Sequence, residues 1–81
     1  MRFEMKMPDL ATNESQIRII RWLVEVGQPV RRGQAVAEVE TDKATVEVES
    51  SVNGVLEQIV AAPEQMVDVG QIIAIIQVNN Q

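Results

Sequence analysis

Val30-x-x-Gly33-Gln34-x-Val36-x-x-Val39 recurs as Val67-x-x-Gly70-Gln71-x-Ile73-x-x-Ile76, at a constant shift of 37 residues (70 − 33). Under the same shift Trp22-Leu23 aligns with Ile59-Val60. Two strand–turn–strand halves of similar pattern argue for an internally duplicated fold. The repeat also makes a geometric prediction. Lys43 shifts to Asn80 in one direction and to Lys6 in the other. In a two-fold structure the turn around Lys43 would therefore correspond to the place where the chain ends meet. Tip and termini are expected at opposite ends of the domain.

Lys43 itself lies between two runs that alternate apolar and acidic residues, Val36-Ala37-Glu38-Val39-Glu40 and Val46-Glu47-Val48-Glu49. Period-two alternation marks half-buried strands. A turn centred on Asp42 and Lys43 pairs residues whose numbers sum to 85. Val39 then faces Val46 and Ala37 faces Val48 on the inner side, while Glu38 faces Glu47 and Glu40 faces Thr45 on the outer side. A one-residue slip would turn every valine outward, so the pattern specifies the register. The result is a lone lysine at an exposed tip above an acidic skirt. An isolated turn lysine is ordinarily a solvated charge and nothing more. Asp-Lys is also poor chemistry for a two-residue hairpin, which favours Asn-Gly or Asp-Gly, so a type I or slightly longer turn is expected. Direct Glu38–Glu47 opposition is mildly destabilising.

Further strands read as follows. Residues 2–7 alternate, with Phe3, Met5 and Met7 inward, and residues 8–16 form a polar loop. Residues 17–26 form a long extended run, bulged around Ile19-Ile20 where alternation breaks. Gly27-Gln28-Pro29 and residues 31–34 are turns. After the Lys43 hairpin, Asn53-Gly54 marks a turn, residues 55–61 a strand, residues 63–65 a turn, Met66-Val67 a short strand, and residues 71–78 the closing strand. Ile72-Ile73-Ala74-Ile75-Ile76 is continuously apolar, as expected of a strand buried on both faces. Around eight short strands with regular turns predict an all-β fold: a sandwich or flattened barrel of two roughly four-stranded antiparallel sheets related by a pseudo-two-fold repeat.

Composition excludes most chemistry. The 81 residues contain no cysteine and no histidine, which removes disulfides, thiol chemistry, the usual zinc ligands and the Ser-His and Cys-His nucleophile pairs. Ser15, Ser50 and Ser51 lack a Gly-x-Ser-x-Gly setting, and the four glycines build no phosphate loop. The net charge of −5, with Arg31-Arg32 the only adjacent basic pair and Phe3 and Trp22 the only aromatics, argues against nucleic acid. No apolar stretch reaches the roughly 18 residues of a membrane span, and no signal peptide is read. No catalytic residue and no metal ligand is assigned; a carrier or interaction module is favoured.

At this point Glu40-Thr41-Asp42-Lys43-Ala44 resembles the modification motif of the lipoyl domains of 2-oxo acid dehydrogenase acyltransferases. Met7-Pro8-Asp9-Leu10, Val24-Glu25-Val26-Gly27 with Val30 and Gly33, Asn53-Gly54-Val55, and Val67-x-x-Gly70-Gln71 match other parts of the family in order and spacing. The resemblance covers essentially the whole chain, with residues 1–78 as the domain and 79–81 as the start of a linker. It implies that Lys43 is amide-linked to lipoic acid, with Asp42 and Ala44, and beside them Glu40 and Thr41, recognised by the lipoylating enzyme: a lipoate ligase, or an octanoyltransferase with lipoyl synthase. It further implies a swinging arm whose dithiolane carries the chemistry while the protein carries the cofactor. A thiamine diphosphate-dependent 2-oxo acid decarboxylase would acylate the arm, an acyltransferase core would unload it to coenzyme A, and a dihydrolipoamide dehydrogenase would reoxidise it. Two departures stand out. The family's Gly-Glu-Gly type segment is replaced by Ala11, Thr12, Asn13, Glu14 and Ser15, the loop through which the resemblance implies partner recognition, and Gln28 stands where an acidic residue is common. The 2-oxo acid stays open among pyruvate, 2-oxoglutarate, branched-chain and acetoin-type substrates. A bacterial cytoplasm is expected over a mitochondrial matrix.

Three rivals share the architecture. Biotin carriers have a Met-Lys-Met tip, and Met5-Lys6-Met7 is present, but it lies in the first strand with Pro8 directly after it. At the hairpin tip Asp42 and Ala44 replace the methionines. The glycine-cleavage carrier is a longer chain with extra helices. A structural adaptor has no need of the Asp-Lys-Ala triplet.

Overall fold

The computed structural model describes residues 1–10 and 16–78. Ala11, Thr12, Asn13, Glu14 and Ser15, expected to serve partner recognition, and the expected linker 79–81 lie outside the described residues. Eight strands appear: β1 (Arg2–Lys6), β2 (Gln16–Trp22), β3 (Pro29–Val30), β4 (Ala35–Glu40), β5 (Thr45–Glu49), β6 (Gly54–Ile59), β7 (Met66–Asp68) and β8 (Ile72–Gln77). They form two four-stranded antiparallel sheets, β1-β8-β6-β3 and β5-β4-β2-β7, which are not joined into a closed barrel. The sandwich measures 39 × 19 × 18 Å. Its core is aliphatic: Met5, Met7, Ile17, Ile19, Val36, Val39, Leu56, Val67, Ile73 and Ile76 are all buried. That follows from alternation, since each inward set is apolar and burying it is the main driving force for a sheet pair of this size.

The 37-residue shift is present in three dimensions. It carries β4 onto β8, residue for residue, and β3 onto the first two residues of β7. The ladder partner of Glu40 is Thr45, and the partner of its equivalent Gln77 is Arg2; Val39 faces Val46 as Ile76 faces Phe3. The two-fold thus equates the Lys43 end of the β4–β5 hairpin with the meeting point of the chain ends, where the Val78 amide donates to Met1 O at 2.7 Å.

Four glutamines repeat one device. The amides of Glu25, Arg31, Ala62 and Asp68 donate to Oε1 of Gln28, Gln34, Gln65 and Gln71 at 3.2, 2.9, 3.0 and 3.1 Å. Each glutamine amide donates in return to the carbonyl three residues back, at 2.9–3.1 Å. The side chain therefore supplies an acceptor that the tight turn denies the first residue's N–H. Gln28, the second departure noted above, is one of these four caps.

The third residue of each turn, just before the glutamine, is in the left-handed region: Gly27 (φ +93°), Gly33 (+87°), Gly70 (+89°) and Glu64 (+72°). Glu64 occupies the slot that is Gly27 in the other half, and both amides make the same 2.7 Å bond to an equivalent carbonyl, Ile19 O and Leu56 O. A left-handed L-residue costs about 1–2 kcal/mol. Glu64→Gly removes that strain, at the expense of unfolded-chain entropy and one exposed ion pair. Its stability is expected to equal the parent's or exceed it by up to about 1 kcal/mol. Gly27→Ala should lose about 1–2 kcal/mol. Urea denaturation of both variants checks the pair.

Three strand assignments need correction. The run 17–26 is not one strand: β2 ends at Trp22, the Leu23 amide still donates to Val36 O at 2.9 Å, and residues 24–28 lead to β3; the Trp22 indole N–H is tied to Ala61 O at 2.8 Å. Pro29 belongs to β3, a short edge strand where its missing N–H is harmless. Gly54 opens β6 instead of closing a turn, and that strand ends at Ile59, short of Ala61. The bulge foreseen at Ile19-Ile20 is present between Ile19 and Arg21.

Candidate functional site

The hairpin register is the expected one: Ala37↔Val48, Glu38↔Glu47, Val39↔Val46 and Glu40↔Thr45, leaving a four-residue turn from Thr41 to Ala44 with Asp42 and Lys43 at its centre. Neither has positive φ, so the tip is not one of the mirror-image turns that suit Asn-Gly. Thr41 makes the alternative possible. Its hydroxyl accepts from the Lys43 and Ala44 amides, both at 3.2 Å, and donates to Ala44 O at 3.1 Å. The Thr41 amide closes the loop to Ala44 O at 2.9 Å. A threonine hydroxyl thus satisfies the Lys43 and Ala44 amides locally. Thr41→Val should cost the hairpin about 1 kcal/mol and accelerate hydrogen exchange at the Lys43 and Ala44 amides.

Asp42, Lys43 and Ala44 are exposed, and Thr41 is half-buried beneath them. Among the described residues, the Lys43 side chain enters none of the four ion pairs. Its amine is presented to solvent on a turn fixed from below. The same residues hold no group of three or more His, Cys, Asp or Glu able to bind a metal ion. Ser50 is buried for turn structure: its hydroxyl donates to Val52 O at 2.6 Å and accepts from the Val52 amide at 3.2 Å.

The acidic skirt is partly neutralised, which the sequence reading missed. Arg21 lies across the ladder from Glu38 and bonds its Oε1 at 3.0 Å, relieving the Glu38–Glu47 opposition. Arg18 lies across from Glu40 and reaches the same carboxylate oxygen through Nε (3.0 Å) and Nη2 (2.8 Å). Its remaining Nη1 pairs with Glu64. The hydrogen bond and charge of Glu40, then Glu64, hold the Arg18 guanidinium above its ordinary pKa. Strict alternation would set residues 18 and 21 on opposite faces. The bulge between them puts both on the outer face, so the signal was two arginines flanking a break in alternation. Gln16, two residues before Arg18 in β2, lies on the tip side of the Arg18–Glu40 pair.

In fold the chain resembles part of the Kluyveromyces lactis urea carboxylase, with a TM-score of 0.79 at 22% identity over 95% of this chain and 6% of that one. The family described as "Biotin-requiring enzyme" matches residues 3–76. A Staphylococcus saprophyticus dihydrolipoyllysine-residue succinyltransferase component of the 2-oxoglutarate dehydrogenase complex is 44% identical over 73 residues, 90% of this chain and 17% of that protein. A Corynebacterium glutamicum dihydrolipoyllysine-residue acetyltransferase component of the pyruvate dehydrogenase complex is 41% identical over 76 residues, 94% of this chain and 11% of its own length. The chain thus spans under a fifth of these relatives. In fold, the chain resembles the solution structure of the lipoyl domain of the Azotobacter vinelandii 2-oxoglutarate dehydrogenase complex. That likeness has a TM-score of 0.73 at 23% identity, covering 94% of this chain and 98% of the other.

Proposed function

The chain belongs to the biotin/lipoyl attachment family, as a lipoyl domain of the kind found in 2-oxo acid dehydrogenase acyltransferases, and from that premise we propose that Lys43 is the lipoyl attachment site of a carrier domain. The observation that carries this is the exposed Lys43 amine between Asp42 and Ala44, at the end of a hairpin whose tip Thr41 locks in place. An amide from Nζ to the lipoyl carboxyl fits there, because the described neighbours leave the amine uncommitted and the tip exposed. Once attached, the lipoyl group supplies a redox-active dithiolane able to hold an acyl group.

The chain's own residues do the rest. The β4–β5 ladder and the Thr41 hydroxyl give the arm a rigid base, so the freedom of the arm is its own and not the backbone's. Asp42 and Ala44 are what the lipoylating enzyme reads on either side of the lysine. Amidation removes one positive charge, taking the formal net charge from −5 to −6. Tethering in a complex would raise the arm's effective concentration at each active site to the millimolar range for short flexible linkers. The relatives' names, acyltransferase components of 2-oxo acid dehydrogenase complexes, support such a complex as the setting; within it the arm would serve a decarboxylase, an acyltransferase core and a dihydrolipoamide dehydrogenase. Biotin is the competing cofactor in this family. Met5-Lys6-Met7 does not present Lys6 at a hairpin tip: Lys6 ends β1 opposite Ile72, and Met5 and Met7 are buried.

The test is the intact mass of the chain before and after incubation with lipoate, ATP and a lipoate ligase, with biotin and a biotin ligase in parallel. One lipoyl group mapped to Lys43 supports the proposal. Biotin uptake with no lipoate uptake, on a chain shown to start unmodified, would overturn it.

A further inference from the structure

The 37-residue repeat shows where the two halves of the molecule differ, and one group of differing residues includes Glu40, three positions before Lys43. Arg18, Glu40 and Glu64 form one connected ion triad on the outer face of the sheet that bears the tip. Their equivalents in the other half are Val55, Gln77 and Gly27, none of which carries a charge. The backbone around the triad is nevertheless conserved between halves. Ile19 donates to Gln65 O at 3.0 Å as Leu56 does to Gln28 O, and Glu64 donates to Ile19 O as Gly27 does to Leu56 O, both at 2.7 Å. Packing therefore accounts for the turn but not for a glutamate in its left-handed slot, where the other three turns have glycine. What glutamate adds is a carboxylate for the free edge of Arg18.

We propose that Glu64–Arg18–Glu40 is a positioning clamp for the Lys43 hairpin. Glu40 is the last residue of β4, directly before Thr41. Arg18 grips its carboxylate through two nitrogens from β2, and Glu64 holds the guanidinium from the turn before β7. The tip is thereby braced sideways by a neighbouring strand and the turn before β7, in addition to its own ladder with β5. A planar guanidinium suits this task, because its fork engages two carboxylates in fixed directions. Glu64 is a positioning residue, remote in sequence from the lysine whose presentation it serves. The inference rests on the attachment role proposed for Lys43, and one of its readouts does not.

The decisive comparison uses Glu64→Gly, which relieves backbone strain while removing one arm of the clamp, and Arg18→Gln, which removes its centre. Two properties are measured on the full chain: hydrogen exchange of the Thr41 amide by NMR, and kcat and KM for lipoylation by a lipoate ligase with lipoate and ATP. Glu64→Gly is expected to be no less stable than the parent, yet to exchange the Thr41 amide about three- to tenfold faster and to lose a similar factor in kcat/KM. Arg18→Lys should recover part of the Arg18→Gln loss. A purely structural role would make stability and lipoylation move together. Lipoylation of Glu64→Gly within twofold of the parent would overturn the clamp. Should the parent itself fail to take up lipoate, the attachment role falls, and the clamp is judged on Thr41 exchange alone; unchanged exchange in both variants would sink it.

Discussion

Lys43→Arg is expected to fold as the parent does and to accept no lipoyl group at all. The side chain is exposed, and among the described residues it enters no ion pair, so nothing in the sandwich depends on it. Surface substitutions of this kind usually stay within about 0.5 kcal/mol. The backbone of residue 43 donates to the Thr41 hydroxyl in either case. Arginine keeps the charge, but its guanidinium is too weakly nucleophilic to form the amide. Thermal unfolding should therefore superpose on the parent, while intact mass after ligase treatment stays at the unmodified value. Addition of lipoate to this variant would relocate the attachment site, and a lowered melting temperature would make Lys43 structural.

Gly54→Ala should be the most damaging single methyl group in the chain. A Cβ at residue 54 would lie 2.4 Å from Gln77 O and 2.7 Å from Ile76 Cγ2. The first of these is backbone of the central strand β8, bonded on one side to β1 and on the other to β6. It has no room to retreat without opening a ladder. Overpacking against fixed atoms costs about 3 kcal/mol at the upper end of its usual range. For a domain this size that lowers the melting temperature by roughly 12–24 °C. By contrast, Gly33→Ala meets nothing within 4 Å and is strained only by its φ of +87°. It should lose about 1–2 kcal/mol. Melting the two variants side by side separates close approach from left-handed strain. Equal losses would mean that β6 can move away from β8.

The sheet pair, the β4–β5 register and the placement of Lys43 at a tip were all legible in the chain. Each rests on local information. Alternating valines and glutamates admit one register, because a slip would invert every side chain, and only four residues separate the strands. Apolar continuity in Ile72-Ile73-Ala74-Ile75-Ile76 likewise announced a strand covered on both faces. The repeat announced the duplication, since matched Val, Gly and Ile positions record the same packing twice. The sequence motif around Lys43 also pointed to the family, and the matched residues 3–76 bear that out.

Tertiary structure decided the rest, for reasons that no local pattern contains. Asn53-Gly54 looks like a turn, yet Gly54 is needed because β8 passes too close for any Cβ, a distance set by Gln77. The matched Gly-Gln pairs gave no hint that glutamine side chains cap four turns, because that role depends on an amide three residues back being denied a backbone acceptor. Arg18 meets Glu40 across 22 residues and Glu64 across 46, through a bulge that changes which face Arg18 and Arg21 share. The sequence by itself determined what alternates and what repeats, because burial acts on each strand's own periodicity. Only the folded chain decided which charges meet beside Lys43, because sheet order and one extra residue in β2 set those distances.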